Sequence, residues 1–213
     1  MEQQRYREVA TRAAETLQTY REDLSGWRSC KRTNEISISW KPSTEFHGNL
    51  YKAEGILPAE LEAVFKCIKP EAGGLREKWD KNVKELFIIE IIDENICILR
   101  TVTPSALMKI ISPRDFLDVV LIKQDEDGTI LSAATNVEHP KCPPEPGYVR
   151  GQNYPCGCFC IPVPGDPSKT QLVSFFQSDL SGNLPHSIVD SFFASSIAEF
   201  YSNLTKAVKT LVA

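Results

Sequence analysis

Cys156, Cys158 and Cys160, with His139 and Cys142 a little upstream, are the residues whose types best suit metal or redox chemistry. Thiolate and imidazole are soft ligands that zinc prefers. The spacing argues against that use. Cys-x-Cys-x-Cys repeats every second residue, which is a strand period that puts three thiols on one face, whereas zinc knuckles usually leave two residues between ligands. The expectation is therefore ordinary buried thiols and no metal. Seven cysteines, an odd number, also do not resemble a secreted disulfide framework. Nucleophilic catalysis has as little support: there is no Gly-x-Ser-x-Gly elbow, no phosphate-binding glycine loop and no His-Glu-x-x-His. The three histidines, His47, His139 and His186, fall near turns or at the start of an element. A Cys–His pair needs only closeness in space, which sequence does not report. The chain reads as one without catalytic residues or cofactors. Arg114-Asp115, at a strand start, reads as a pair that fixes a loop by hydrogen bonds.

Composition narrows the partners. With 24 Lys and Arg against 28 Asp and Glu, the net charge is −4, and broad nucleic-acid binding lacks the basic excess it needs. The 213 residues suffice for a substantial core, and with no repeats, low-complexity tracts or linkers they read as one domain, 1–213. No run reaches the roughly 18 to 20 apolar residues of a membrane span; the densest, Leu86 to Leu99, is broken by Glu90, Asp93, Glu94 and Asn95. The first residues lack the apolar core of a signal peptide, and a cytoplasmic location is expected.

The elements that must hold these residues follow from periodicity. Tyr6, Val9, Ala10, Ala13, Leu17 and Tyr20 lie at helical spacing, so residues 4–24 predict a helix. Three strands follow, at 27–33, 36–40 and 50–56, then short helices at 58–68 and 75–79. Six more strands are predicted at 83–92, 96–101, 116–123, 130–137, 148–161 and 170–180, with tight turns at Asp93-Glu94-Asn95 and Asp125-Glu126-Asp127-Gly128. The last element, 184–213, is a long amphipathic helix. Val189, Phe193, Ile197, Phe200, Leu204, Val208 and Leu211 recur at spacings of three and four, and Pro185 suits its first helical position. Strands that succeed one another without helices between them give an α+β class with an antiparallel sheet. Two connections, 104–113 and 139–147, are too long for hairpins, and the first is unusually apolar.

Several motifs in this order resemble the StAR-related lipid-transfer, or START, family: Trp79-Asp80 with Asn82-Val83, Ser112-Pro113-Arg114-Asp115-Phe116, Val149-Arg150, Ser168-Lys169-Thr170, and Asp179-Leu180 with Gly182 and Leu184-Pro185. Lys41-Pro42-Ser43, Val137-Glu138-His139-Pro140 and Pro155-Cys156-Gly157-Cys158-Phe159-Cys160 look like its small sterol- and bile-acid-binding members. The resemblance implies a helix-grip fold, in which a curved nine-stranded antiparallel sheet surrounds a hydrophobic tunnel closed by the C-terminal helix. It implies one sterol or bile-acid-like ligand, shielded from water during transfer between membranes, and transient contact with the membrane surface by a monomer. The alternative function is a lipid sensor that reports ligand occupancy to a protein partner.

On that reading the tunnel wall is expected from Val189, Phe193, Ile197 and Phe200 of the helix and from Leu99, Val119, Leu121 and Phe176 of the sheet. Leu107, in the apolar loop, is the expected gate. Arg76 leads the candidates for a polar contact to the ligand, followed by Ser132, Thr101 and Thr103. Steroidogenic relatives place an acid and an arginine inside the tunnel, but alignment through Pro113-Arg114-Asp115 puts Thr101 and Val120 at those positions. A different anchor is therefore needed. Lys206, Lys209, Lys31 and Arg32 are candidates for contact with anionic headgroups, although lysines at a helix end also suit the helix dipole. Along the last helix, Phe193, Ile197 and Phe200 are expected to face ligand, while Leu204, Val208 and Leu211 anchor the helix to the sheet.

Overall fold

The structure, a computed structural model, describes residues 1–212. In chain order it contains α1 (Glu2–Glu22), β1 (Arg28–Arg32), β2 (Ile36–Pro42), β3 (Asn49–Leu57), α2 (Leu61–Ile68) and α3 (Arg76–Trp79). There follow β4 (Glu85–Ile91), β5 (Ile96–Thr103), β6 (Arg114–Gln124), β7 (Ile130–Asn136), β8 (Val149–Arg150) and β9 (Gln152–Asn153). The last elements are β10 (Cys156–Pro162), β11 (Thr170–Phe176), β12 (Ser178–Asp179) and α4 (His186–Thr210). Nine strands form one continuous antiparallel path, β1-β2-β3-β11-β10-β7-β6-β5-β4. The short β8 pairs parallel to β6, and β12 pairs with β9 in a separate ribbon.

The alternation of the central strands is the reason for two layers of helix. Outward residues meet α1: Tyr6 and Ala10 pack with Ile98, Leu117 and Val119, and Leu17 packs with Leu131, Phe159 and Phe175. Inward residues meet α4 and α2, in a cluster that joins Ile197, Leu204 and Val208 to Ile38, Leu172 and Val64. Gly55 lets α4 come close, since a Cβ there would stand 3.1 Å from the Tyr201 ring and 2.9 Å from the Glu35 carbonyl oxygen. The Tyr201 hydroxyl is buried in the seam, 3.0 Å from each of Ser174 Oγ, Ala53 O and Leu172 O. Desolvation explains why its pKa is pushed well up.

Arg114-Asp115 does the structural work expected of it. Asp115 is fully buried and accepts from Arg100 Nε at 2.9 Å and from Arg150 Nε at 2.8 Å, which ties β5, β6 and β8 together. Arg114 Nε donates to the Leu180 carbonyl at 2.8 Å and so holds the chain ahead of α4.

The sequence pattern misses several boundaries. The strand expected over 148–161 is three short strands, because Gln152 and Asn153 pair with β12 instead of continuing beside β7, and Pro155, without an N–H, precedes β10. The strand expected over 170–180 breaks at Gln177, whose side chain is drawn off to Tyr20 Oη, the Pro155 carbonyl and Ser43. Pro185 caps α4 rather than opening its first turn. Leu211 lies beyond the helix and is exposed, so it is not part of the anchor. Ala213, the end of the expected helix, lies outside the described residues.

Candidate functional site: an internal cavity under the last helix

Between the inner face of β5, β6, β7, β10 and β11 and the middle of α4 lies a cavity of about 470 Å³. That is within the roughly 300–1,000 Å³ of small-molecule sites. Strand parity decides which side chains reach it. On β6, Phe116, Asp118 and Val120 face in, and Leu117, Val119 and Leu121 face out. Val119 and Leu121, both expected in the wall, are thus on the α1 side, because the inward set of β6 is the even-numbered one. Leu99, Thr101 and Thr103 of β5 line the cavity, as do Ser132 of β7 and Phe176 of β11. From α4, Phe193, Ile197 and Phe200 line it, while Leu204 and Val208 are buried against the sheet and α2 without reaching it. Val189 lies elsewhere, on a smaller hollow of about 180 Å³ with His47, His186 and Asp190. A helical position four residues before Phe193 is one turn too near the N-terminus to reach the main cavity.

Much of the polar lining is already committed to hydrogen bonds within the protein. Arg76, on the single turn of α3, lines the cavity and donates through Nε to the buried Asp80 at 3.1 Å. Asp80 also accepts from the Asn82 backbone, which explains why Trp79-Asp80 and Asn82 occur together. Ser132 and Thr101 present hydroxyls, and Val120 presents none. Cys156 and Cys158 share the inward face of β10 with Cys160, as the alternation predicts. Gly157 between them is required, because a Cβ there would lie 1.9 Å from the Ser132 carbonyl oxygen. Burial pushes the Cys156 thiol far up, so it stays protonated. His139 is on the other side of the sheet, stacked on Tyr6 with Nε2 2.7 Å from Glu90, so it does not join these thiols. Among the described residues no group of His, Cys, Asp or Glu is arranged to hold a metal ion, and every cysteine is free.

The lining residues that a pattern-based reading misses include Asp118 and Asn153. Asp118 interrupts the apolar run from Phe116 to Ile122, and that interruption is a signal the sequence does carry. Asn153 comes from the short β9, which pairs with β12 and is also held to β7 by Thr135 and Asn136 donating to the Asn153 carbonyl.

The connection 104–113 closes the cavity beside α4. Ala106 and Ile111 form an isolated bridge, and between them Leu107, Met108 and Lys109 take the left-handed conformation, with φ of 48°, 52° and 71°. Such backbone costs roughly 1 kcal/mol or more per non-glycine residue and persists only where its surroundings impose it. Its result is an apolar tip in solvent: Met108 is 96 % and Ile110 54 % exposed, while Leu107 is 40 % exposed and also lines the cavity. Lys206 and Lys209 are exposed, but near the far end of α4. At 1.5 Å per residue, Lys206 stands about 9 Å along the helix beyond Phe200, the last α4 residue at the cavity. Among the described residues no helix is long and apolar enough to cross a membrane.

The START domain family model matches residues 8–213. StAR-related lipid transfer protein 5 of Mus musculus is 63 % identical over 196 residues, 92 % of this chain and 92 % of that protein. The Homo sapiens protein of the same name is 58 % identical over 202 residues, 95 % of each. A solved structure of human StAR-related lipid transfer protein 5 superposes with a TM-score of 0.94 at 55 % identity, covering 99 % of this chain and 100 % of that one. Sheet and covering helix agree with that solved structure, and the chain belongs to the START domain family, whose lipid-transfer members are binding proteins rather than enzymes.

Proposed function

We propose that residues 1–213 act as one lipid-binding unit that holds a single sterol or bile-acid-like molecule in this cavity and exchanges it with membranes. The observation that carries the reading is the cavity itself: about 470 Å³, walled chiefly by aliphatic and aromatic side chains, beneath a helix and an apolar loop. Enclosing several hundred Å² of apolar ligand at roughly 25 cal/mol per Å² is worth on the order of 10 kcal/mol before ordering costs. A rigid, mostly apolar ligand with few polar groups gains most from such a wall. The exposed Leu107, Met108 and Ile110 support transient membrane contact, since an apolar tip beside the cavity can enter the bilayer where the ligand leaves. A monomer working in the cytoplasm fits this role. Arg76, Thr101, Thr103 and Ser132 belong to the polar wall, with Asp118 and Asn153, and Leu99, Phe176, Phe193, Ile197 and Phe200 belong to the apolar one.

The test is sterol transfer between donor and acceptor vesicles. Transfer faster than spontaneous exchange is expected. Stoichiometric binding with no acceleration would favour a lipid sensor that signals occupancy to a protein partner. Native mass spectrometry of protein offered cholesterol and a bile acid together decides which ligand the cavity prefers.

A further inference from the structure

Asp118 is the one acidic side chain that β6 turns inward. Its neighbours on that face are Phe116 and Val120, it is only 4 % exposed, and it lines the cavity. Carboxylate oxygen Oδ2 accepts from Asn153 Nδ2 at 2.8 Å. That amide is itself held, because Ser178 Oγ donates to Asn153 Oδ1 at 2.6 Å and leaves the NH₂ group turned to Asp118. The second oxygen, Oδ1, is buried and has no hydrogen-bond partner among the described residues. A buried carboxylate oxygen left without a donor is unfavourable, and native proteins satisfy nearly all such atoms. Here the atom belongs to a side chain facing a ligand-sized space.

We propose that Asp118 Oδ1 is the cavity's hydroxyl acceptor: the O–H at the polar end of a bound sterol completes this carboxylate, and the protein thereby selects hydroxysterols over their ketone analogues. The inference rests on the sterol-carrier reading above and goes further, by naming the atom and the ligand group it recognises. Arg76 holds Asp80 through Nε and its guanidinium carries only donors, which suit a hydroxyl or a ketone oxygen alike, Val120 has no polar atom, and the hydroxyls of Ser132 and Thr101 can donate as well as accept. Only an acceptor without a proton of its own tells O–H from C=O.

The state of that carboxyl makes the selection depend on pH. Burial pushes Asp118 up to about 7, with the Asn153 hydrogen bond and the Arg150 charge acting in the opposite direction. Arg150, on β8, is committed to Asp115 on the outer side. Cys156 faces Asp118 from β10, and Asn136 and Leu99 pair with it from β7 and β5 without charge. Across the cavity the charged groups are Arg76, Asp80, Lys81, Arg114 and Glu199. Ionised, Asp118 only accepts, which suits an O–H and leaves a ketone oxygen facing a carboxylate. Protonated, it donates to either oxygen.

The experiment is equilibrium binding of cholesterol and of its 3-keto analogue to the full chain, wild type and Asp118→Asn, at about pH 5.5 and pH 8. The wild type is expected to hold cholesterol at both pH values and to lose about tenfold in affinity for the ketone at pH 8, since that ligand needs the protonated carboxyl. In Asp118→Asn the ratio of the two affinities should no longer change with pH. The wild-type measurement alone decides the matter should the variant fold poorly. A wild-type ratio near one that is flat with pH overturns the role of Asp118 and leaves the sterol carrier standing. Failure of both sterols to bind at either pH overturns the sterol reading and this inference with it.

Discussion

At the scale of single residues, the buried polar groups divide into those that hold the fold and those left to meet a ligand. Asp115 belongs to the first kind. Burial alone would raise its carboxyl, but hydrogen bonds from Arg150 and Arg100 outweigh it and hold the pKa below the usual carboxylate range. A lowered carboxyl contributes stability that is present above its ordinary pKa of 3.8 and disappears as pH falls through the lowered value. Replacing it, Asp115→Ala, strands two arginines and should cost about 3–5 kcal/mol in denaturant unfolding at neutral pH. Asp118 behaves in the opposite sense. Its raised pKa gives the ligand-free fold a contribution that is complete below 3.8 and is lost as pH climbs towards 7. Between pH 5 and pH 8 the wild type should therefore lose stability relative to Asp118→Asn, and paired melting curves across that range check the sign. Tyr201→Phe removes the hydroxyl shared by Ser174, Ala53 and Leu172, and about 1–3 kcal/mol of stability should go with it.

At the scale of elements, α4 is two devices in one helix. Its C-terminal half is fixed: Tyr201, Leu204, Ala207 and Val208 are buried, and Gly55 admits the Tyr201 ring. Its first turns are exposed, carry no side-chain cap, and are tied to β3 by Asn49 and Tyr51 donating to Asp190. Hydrogen exchange should reach residues 186–193 and the loop 104–113 well before residues 200–208, and ligand should slow the first two most. Equal protection along the whole helix would mean that it opens as one body or not at all. The loop supplies the second element-scale expectation. Leu107→Asp places a charge on a partly exposed tip, so vesicle transfer should slow severalfold while the melting temperature moves by no more than a few degrees. A large fall in stability would instead make Leu107 part of the packing. The pattern of helix 184–213 announced this element, because a stripe at spacings of three and four survives any packing that buries it. It could not announce that the stripe divides between sheet and cavity, since both surroundings select the same side chains.

At the scale of the whole molecule, the sheet is packed on both faces, by α1 outside and by α4 with α2 inside, and the inner layer leaves a space. That space is a defect by the standards of protein interiors unless something fills it. Filling it from the protein should separate stability from binding. Ala134→Phe, on the inward face of β7, is expected to weaken sterol binding at least tenfold while the melting temperature holds or rises. Wild-type protein with sterol at a hundredfold excess over its Kd should gain about 2.7 kcal/mol, and the filled variant at the same sterol concentration should gain no more than about 1.4 kcal/mol. A filled variant that still binds and is still stabilised would place the ligand outside this cavity.

The amino-acid sequence by itself determined what repeats along the chain: the helices, the alternation of the central strands, the shared face of Cys156, Cys158 and Cys160, and the ordered motifs that resemble a lipid-binding family. These are local properties, set by backbone period and side-chain type. Only the tertiary structure decided which parity of β6 faces inward, and so exchanged Val119 and Leu121 for Val120 and Asp118 at the cavity. It also decided that 148–161 breaks so that Asn153 can meet Asp118 from a separate ribbon. The reason is that a strand of apolar residues covered on both faces looks alike from either side, and the partner that distinguishes the faces is supplied by residues far away in the chain.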